Sequence, residues 1–156
     1  MSKKITSKKN IFFIIMLLIT ALYIGFIWWR STLSAVDSTV ESLSVLGFLE
    51  SICKFLNLGV ELTDHIVRKA AHFCEFALLG CLTLWTAYIK NKRVIRNLMP
   101  AGFVCLAVAV ADEMIQITSP GRSAEVVDVT IDFFGACAGA LFFIIVLSIV
   151  KLFKKT

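Results

Sequence analysis

Long apolar runs alternate with short polar segments along the chain. Four of these runs, at about residues 11–29, 67–89, 98–117 and 126–150, are long enough to cross the roughly 30 Å hydrocarbon core of a bilayer as α-helices. We predict that each is a membrane span. No internal repeat is visible, so the chain is not a repeat array.

The first apolar run, IFFIIMLLITALYIGFIWW, follows a basic segment, as the core of a signal peptide also does. However, its about 19 residues exceed a typical signal-peptide core of 7–15 residues, and no small-residue cleavage site follows it directly. We therefore predict a span that is retained. Trp28 and Trp29 at its end are typical of a membrane interface.

Residues 36–60 have a different pattern. Apolar residues recur there at helical spacing, with acidic residues and a lysine between them; the apolar positions are Leu43, Leu46, Phe48, Leu49, Ile52, Phe55 and Leu56. This pattern predicts one or two amphipathic helices that lie on the outer membrane surface. The segment is interpreted as a connector, with a partner-binding surface as the alternative.

The predicted fold class is therefore all-α: a polytopic membrane protein with four transmembrane helices plus an outer amphipathic helical segment. The composition agrees, since 58% of the residues are hydrophobic and 17% are charged, against about a quarter charged in soluble domains. The length predicts one membrane domain, residues 1–156, without a separate soluble enzyme domain. The five cysteines show neither CxxC pairing nor metal-ligand spacing and are interpreted mainly as small core residues.

The net charge of +5 is explained by topology. The basic residues form three patches, KKITSKK, KNKR and KLFKK, and each patch flanks an apolar run. With four spans all three patches fall on one side, so the positive-inside rule predicts that both termini are cytoplasmic. Because no basic face is interleaved with aromatic residues, we predict no nucleic-acid partner.

Polar side chains concentrate in the halves of the spans that would face outward. They are Arg68, Lys69, His72, Glu75, Asp112, Glu113, Gln116, Arg122, Glu125, Asp128 and Asp132. Ionisable residues inside a membrane are rare, usually face the bundle interior and commonly mark functional sites. We therefore predict an outward-facing polar pocket. Alternatively, Asp112 and Asp128 could pair with Arg68 or Arg122 only to brace the bundle.

Helical spacing places these groups on shared faces. Lys69, His72 and Glu75 are three residues apart. Asp128 and Asp132 continue into Gly135 and Gly139 at steps of three and four, a stripe of small residues that favours close helix packing. The last span is thus predicted to turn its carboxylates toward other helices.

The SPGR segment predicts a tight turn at Pro120 and Gly121, which would present Arg122 at the mouth of the cluster. A guanidinium there suits a bidentate grip on phosphate or carboxylate. The alternative is an ion pair between Arg122 and Asp128.

At RKAAHFCEFALLG and DEMIQITSPGRSAEVVDVTIDFFGACAG the chain resembles the VanZ-like family of small integral membrane proteins. The positions that match the family pattern are Lys69, His72, Glu113, Gln116, Pro120, Gly121, Arg122, Asp128 and Gly135. Two positions depart from it: Phe76 stands where a tyrosine is common, and Asp132 where an asparagine is often found. The resemblance implies a contribution to low-level resistance against teicoplanin-type lipoglycopeptides at the Gram-positive cell surface.

Two function classes follow for the pocket. In the first, favoured hypothesis the pocket binds a membrane lipid or a lipid-linked envelope precursor by its anionic headgroup. The glycopeptide or another membrane protein is the alternative ligand. The candidate binding residues are Lys69, Glu75, Asp112, Gln116, Arg122 and Asp132.

In the second hypothesis the protein is a membrane enzyme that carries out acid/base hydrolysis or transfer on a lipid-linked envelope component. Its candidate catalytic residues are His72, Glu113 and Asp128. Asp128 would orient His72 or hold a divalent cation with Glu113, but no residue is assigned as a metal ligand and no cofactor is identified. A proton-coupled transporter is disfavoured, because the charges stop at the outer half.

Overall fold

The computed structural model describes residues 2–55, 62–123 and 125–154, although the side chains of residues 2–7, 49–50 and 52–54 lie outside this description. The described chain forms five α-helices: α1 (Ser2–Ser31), α2 (Ala35–Phe55), α3 (Asp64–Asn91), α4 (Val94–Ile117) and α5 (Val126–Phe153). The all-α prediction is confirmed.

Four of these helices are long and apolar enough to cross a membrane: α1 from Lys8 onward, α3, α4 and α5. With 24 to 28 residues each, they extend about 36–42 Å at 1.5 Å per residue. The four predicted spans are confirmed, and the helices run a few residues beyond most of the predicted bounds. One reason is capping: Thr63, outside the apolar run, accepts a hydrogen bond from the Ile66 N–H and so starts α3 early.

The closest helix packing joins α3 to α5. The backbone of Gly135 lies against the Phe73 carbonyl and that of Gly139 against the Ala77 carbonyl, so a Cβ atom at either glycine would overlap the opposing main chain. The predicted small-residue stripe on the last span is thereby confirmed as a packing surface. Because α5 begins with Asp128 and Asp132 on the same face, this packing also brings their carboxylates against α3.

The two ends of the bundle differ in polarity. At one end, Asn91 and Asn97 exchange amide hydrogen bonds at 2.8 and 2.9 Å, and Lys9 donates to the Lys90 carbonyl. Between the ends lies an apolar core that includes Phe76. The other end, formed by the end of α1, the starts of α3 and α5 and the end of α4, carries the buried carboxylates.

The predicted outer segment contains one helix, α2, up to Phe55; residues 56–60 of the predicted segment lie outside the described residues. The side of α2 that faces the bundle is small and polar, and buried Ser42 donates a hydrogen bond to the Asp64 carboxylate. Large apolar side chains such as Val36, Leu43 and Phe48 are exposed. This orientation follows from the polar character of the bundle end that α2 adjoins, and it leaves apolar surface for the membrane interface.

Candidate functional site

The candidate site is a polar cluster at the end of the bundle where α1 and α4 end and α3 and α5 begin. Adjacent helices run in opposite directions, so residues near positions 31, 70, 115 and 130 meet at one level. Every predicted site residue lies in this region, but the structure divides the residues into groups with different partners.

Asp112 is the most firmly held of these groups. Its side chain is fully buried. Ser31 donates a hydrogen bond to Oδ1, and Gln116 Nε2 donates one to Oδ2 at 2.7 Å. Ser31 is in turn fixed by Ser119, whose hydroxyl donates to the Ser31 carbonyl at 2.8 Å. Asp112 and Gln116 stand out in the sequence as polar residues of a span, whereas Ser31 does not, since a serine at the end of a span carries no distinctive pattern.

Asp132 is also fully buried, yet neither of its carboxylate oxygens has a hydrogen-bond partner among the described residues. The Nδ1 atom of His72 lies 3.7 Å from Asp132 Oδ1, too far for a hydrogen bond, and likewise lacks a partner. Asp112 completes the group: a His72 ring nitrogen and one carboxylate oxygen from each aspartate lie within 4.8 Å of one another. Three helices therefore bring potential metal ligands together, and this trio differs from the Asp128–Glu113 combination considered from the sequence.

Glu113 has a separate environment beside the start of α5. Its side chain is buried, and Oε2 accepts a hydrogen bond from the Glu125 backbone N–H at 3.0 Å. It thereby satisfies a backbone donor where α5 begins. Its other oxygen, Oε1, has no partner in the described part of the chain.

Lys69 binds carboxylates of the same protein. Its Nζ atom lies 2.6 Å from Asp128 Oδ1 and 3.5 Å from Glu125 Oε2. Asp128 is therefore paired with Lys69, whereas the ion pair between Arg122 and Asp128 considered from the sequence is not formed. With its charge largely balanced internally, Lys69 is less suited than an unpaired cation to hold an external anion.

Arg68 and Arg122 are the cations that remain. Neither makes an ion pair with a carboxylate within the described ranges. Burial lowers the pKa of the Arg122 guanidinium, and the nearby positive charge of Arg68 acts in the same direction. From the sequence, Arg68 was considered only as a brace of the bundle, and its lack of an ion pair among the described residues does not support that role.

The predicted SPGR turn is confirmed. The Arg122 N–H donates to the Ser119 carbonyl at 3.2 Å, and Gly121 has a φ of 75°. That positive φ is what the third position of a type II turn with Pro120 before it requires. The turn is joined to α2 as well, because the Ala35 N–H donates to the Pro120 carbonyl. The backbone at Arg122 is thus held in place at the rim of the cluster.

Two neighbouring cavities open at this end. The larger, of about 280 Å³, lies under α2 and contains the predicted residue Glu75, which is ion-paired at 3.6 Å to Arg30. Arg30, which was not predicted as a site residue, also pairs with Glu41 of α2 at 2.6 Å.

The smaller cavity, of about 100 Å³, is more polar. It reaches the ion-paired and the buried acids, and its lining includes Lys69, Gln116, Asp128 and Asp132. Arg68, His72 and Arg122 border both cavities.

A family model described as VanZ/LLP1 matches residues 11–147, which include all four candidate spans apart from their outermost residues. The chain belongs to the VanZ/LLP1 family. No curated protein and no solved structure matches it. In this VanZ/LLP1 protein the two resembling segments lie on α3 and on α4–α5, the helices that build the site. Phe76, at the position where the resemblance implies a tyrosine, is buried in the apolar core.

Proposed function

We propose that this VanZ/LLP1 protein contributes to low-level resistance against teicoplanin-type lipoglycopeptides by binding the anionic headgroup of a membrane lipid or lipid-linked envelope precursor. The observation that carries the proposal is the pair of guanidinium groups, Arg68 and Arg122, that border both cavities without a carboxylate partner among the described residues.

Electrostatics supports an anionic ligand. Two like charges in a partly desolvated site repel each other, and an anion bound between them removes that repulsion. Arginine is especially suited to phosphate, because its planar group makes two parallel hydrogen bonds. Internal carboxylates already pair with Lys69 and Arg30, so Arg68 and Arg122 are the basic side chains lining the cavities that have no ion pair among the described residues.

The size and lining of the larger cavity favour a headgroup over the drug itself. Its volume of about 280 Å³ is at the lower limit of typical small-molecule sites, which measure roughly 300–1,000 Å³. Leu33, Val45 and Val67 also line it, so a lipid could place its phosphate on the arginines and its first acyl carbons on apolar surface. A whole glycopeptide would exceed this space.

The topology that we propose puts the site on the outer side of the cell membrane. With both termini in the cytoplasm, all three basic patches lie on the cytoplasmic side, and Arg122 faces outward. Lipid-linked envelope precursors and lipoglycopeptides would then meet the pocket from the same side.

Binding of a headgroup can be measured with the purified chain in detergent. We expect short-chain phosphatidylglycerol to bind and short-chain phosphatidylcholine to bind at least tenfold more weakly, by isothermal titration calorimetry. Arg122→Lys and Arg68→Gln should each weaken phosphatidylglycerol binding at least tenfold, because each removes a bidentate donor. The control is Arg96→Gln, an exposed arginine at the opposite end of the bundle, which should leave binding unchanged.

In cells, the same arginine variants should lose teicoplanin resistance while their abundance in the membrane stays normal. Loss of resistance together with loss of the protein would instead indicate that the arginines brace the bundle. Equal binding of both lipids by the parent chain, or unchanged binding by both arginine variants, would contradict headgroup recognition.

An enzymatic role is the second candidate, because His72 Nδ1 and Glu113 Oε1 are buried atoms without partners in the described structure. An acid/base reaction on a lipid-linked envelope component would use such groups to move protons. His72→Gln and Glu113→Gln should then abolish resistance with the protein still present and with phosphatidylglycerol still bound. Retained resistance in both variants would exclude this role.

A further inference from the structure

We propose that His72, Asp112 and Asp132 form a binding site for one divalent transition-metal cation, buried where α3, α4 and α5 meet. The proposal is independent of headgroup binding, because it rests on a different set of side chains. Its supporting observations are the convergence of the three side chains and the lack of hydrogen-bond partners, among the described residues, for both Asp132 oxygens and for His72 Nδ1.

The distances are close to those of a coordination sphere. The three potential ligand atoms lie within 4.8 Å of one another, and His72 Nδ1 and Asp132 Oδ1 are 3.7 Å apart. Ligands at 2.0–2.1 Å from a tetrahedral Zn²⁺ are separated by about 3.3–3.5 Å. Small side-chain rotations would therefore complete the site without any movement of the helices.

The burial of two neighbouring carboxylates also favours a cation. Asp132 is fully enclosed, and one of its carboxylate oxygens lies within 4.8 Å of an oxygen of the equally buried Asp112, so two negative charges would repel each other there. The nearby lysine does not relieve this repulsion, because Lys69 is paired with Asp128 and Glu125. A buried carboxylate in such surroundings requires either a bound cation or a proton.

The hydrogen-bond pattern favours the cation over the proton. A protonated Asp132 would need an acceptor for its O–H group, and His72 Nδ1, which is unpartnered within the described ranges, lies 3.7 Å from Oδ1, beyond hydrogen-bond distance. Asp112, by contrast, is oriented by a donor on each oxygen, Ser31 on one and Gln116 on the other. Such outer partners, which fix a carboxylate and leave its remaining lone pairs free, are characteristic of metal ligands.

The donor set indicates the class of metal. One imidazole nitrogen and two carboxylate oxygens suit Zn²⁺ or Mn²⁺ better than Mg²⁺ or Ca²⁺, which prefer oxygen ligands alone. Three protein ligands also leave a coordination position open. That position adjoins the smaller cavity, since both His72 and Asp132 line it.

The test uses the full-length chain in detergent, stripped with a chelator and then titrated separately with Zn²⁺, Mn²⁺ and Mg²⁺. We expect one Zn²⁺ or Mn²⁺ per chain after desalting, measured by elemental analysis, and a higher unfolding temperature with that metal. Co²⁺ should give the visible absorption of a bound transition metal with nitrogen and oxygen ligands. If the parent chain retained no stoichiometric metal and showed no Co²⁺ spectrum, the proposal would be overturned.

Variants then assign the site. Asp132→Asn and His72→Gln should each reduce Zn²⁺ affinity at least tenfold, and Ser31→Ala should reduce it about tenfold or more by releasing Asp112. Asp37→Asn, an exposed acid on α2, is the matched control and should bind like the parent. Helical content by circular dichroism identifies any variant that fails to fold; the Co²⁺ spectrum of the parent decides the proposal in that case.

The competing explanation is a protonated Asp132. In that case Asp132→Asn would leave metal content unchanged and would be as stable as the parent chain, and the infrared band of a protonated carboxyl group would disappear in the variant. This result would overturn the metal site. It would leave headgroup binding by Arg68 and Arg122 unaffected, so the two proposals can fail separately.

Discussion

Lys69 Nζ lies 2.6 Å from Asp128 Oδ1, and this contact joins α3 to α5 at the mouth of the polar cluster. The pair changes the roles available to both residues. Lys69 is engaged internally, so Arg68 and Arg122 become the better candidates for an external anion. Asp128 is engaged as well, so the candidate partner of His72 is Asp132 instead.

The first prediction concerns this ion pair. Lys69→Met should lower the free energy of unfolding by about 1–3 kcal/mol, because it leaves the part-buried Asp128 carboxylate without its partner. Asp128→Asn should cost less, because Lys69 keeps Glu125 at 3.5 Å. The measurement is unfolding of the purified protein in mixed detergent micelles, followed by circular dichroism. A double-mutant cycle should show coupling between the two changes.

The pair formed by Arg30 and Glu41 provides a control for that cycle. Both of its side chains are more exposed than those of Lys69 and Asp128, so its coupling energy should be smaller, below about 1 kcal/mol. A stronger coupling for the exposed pair than for the part-buried pair would contradict the assigned roles.

The second prediction concerns the packing of α3 on α5. Gly139→Ala should lower the free energy of unfolding by about 1–3 kcal/mol or more, because its Cβ would overlap the backbone of Ala77, which cannot move aside like a flexible side chain. Gly25→Ala in α1 is the control, since its Cβ would enter open space. We expect the control to be neutral or slightly stabilising. Equal stability of the two variants would show that α3 and α5 are not in this close contact.

The third prediction concerns the turn that carries Arg122. Gly121→Ala should destabilise the protein by about 1–2 kcal/mol, because a residue with a Cβ is strained at a φ of 75°. Phosphatidylglycerol binding should weaken at the same time if the turn positions the guanidinium. Gly47→Ala, at a helical glycine of α2 with no atom near the added Cβ, should change neither quantity by a comparable amount.

The fourth prediction concerns topology. In a chain whose five cysteines are replaced by alanine, Ser123→Cys should react with a membrane-impermeant thiol reagent in intact cells. Arg93→Cys, in the loop at the opposite end, should react only after the cells are opened. The physical reason is the cytoplasmic preference of the three basic patches. The reverse labelling pattern would contradict the proposed orientation.

The sequence by itself determined the four spans and the location of the polar groups. Runs of about 20 apolar residues predict membrane helices because a helix satisfies its own backbone hydrogen bonds in a medium without water. The small-residue stripe with Gly135 and Gly139 predicted close packing, and the turn at Gly121 followed from local backbone chemistry. Both features depend on residues that are close together in the chain, so the local sequence pattern is enough to predict them.

Only the tertiary structure decided which polar groups are partners. Lys69 could have bound a ligand, and Arg122 could have paired with Asp128; helix rotation and the close approach of α3 to α5 decide both cases. The same geometry leaves Asp132 buried without a hydrogen-bond partner in the described part of the chain, and it provides Asp112 with Ser31, which lies 81 positions away in sequence. Pairing among several similar charges depends on distances of a few ångströms across helices, and helical periodicity along one chain carries no information about those distances.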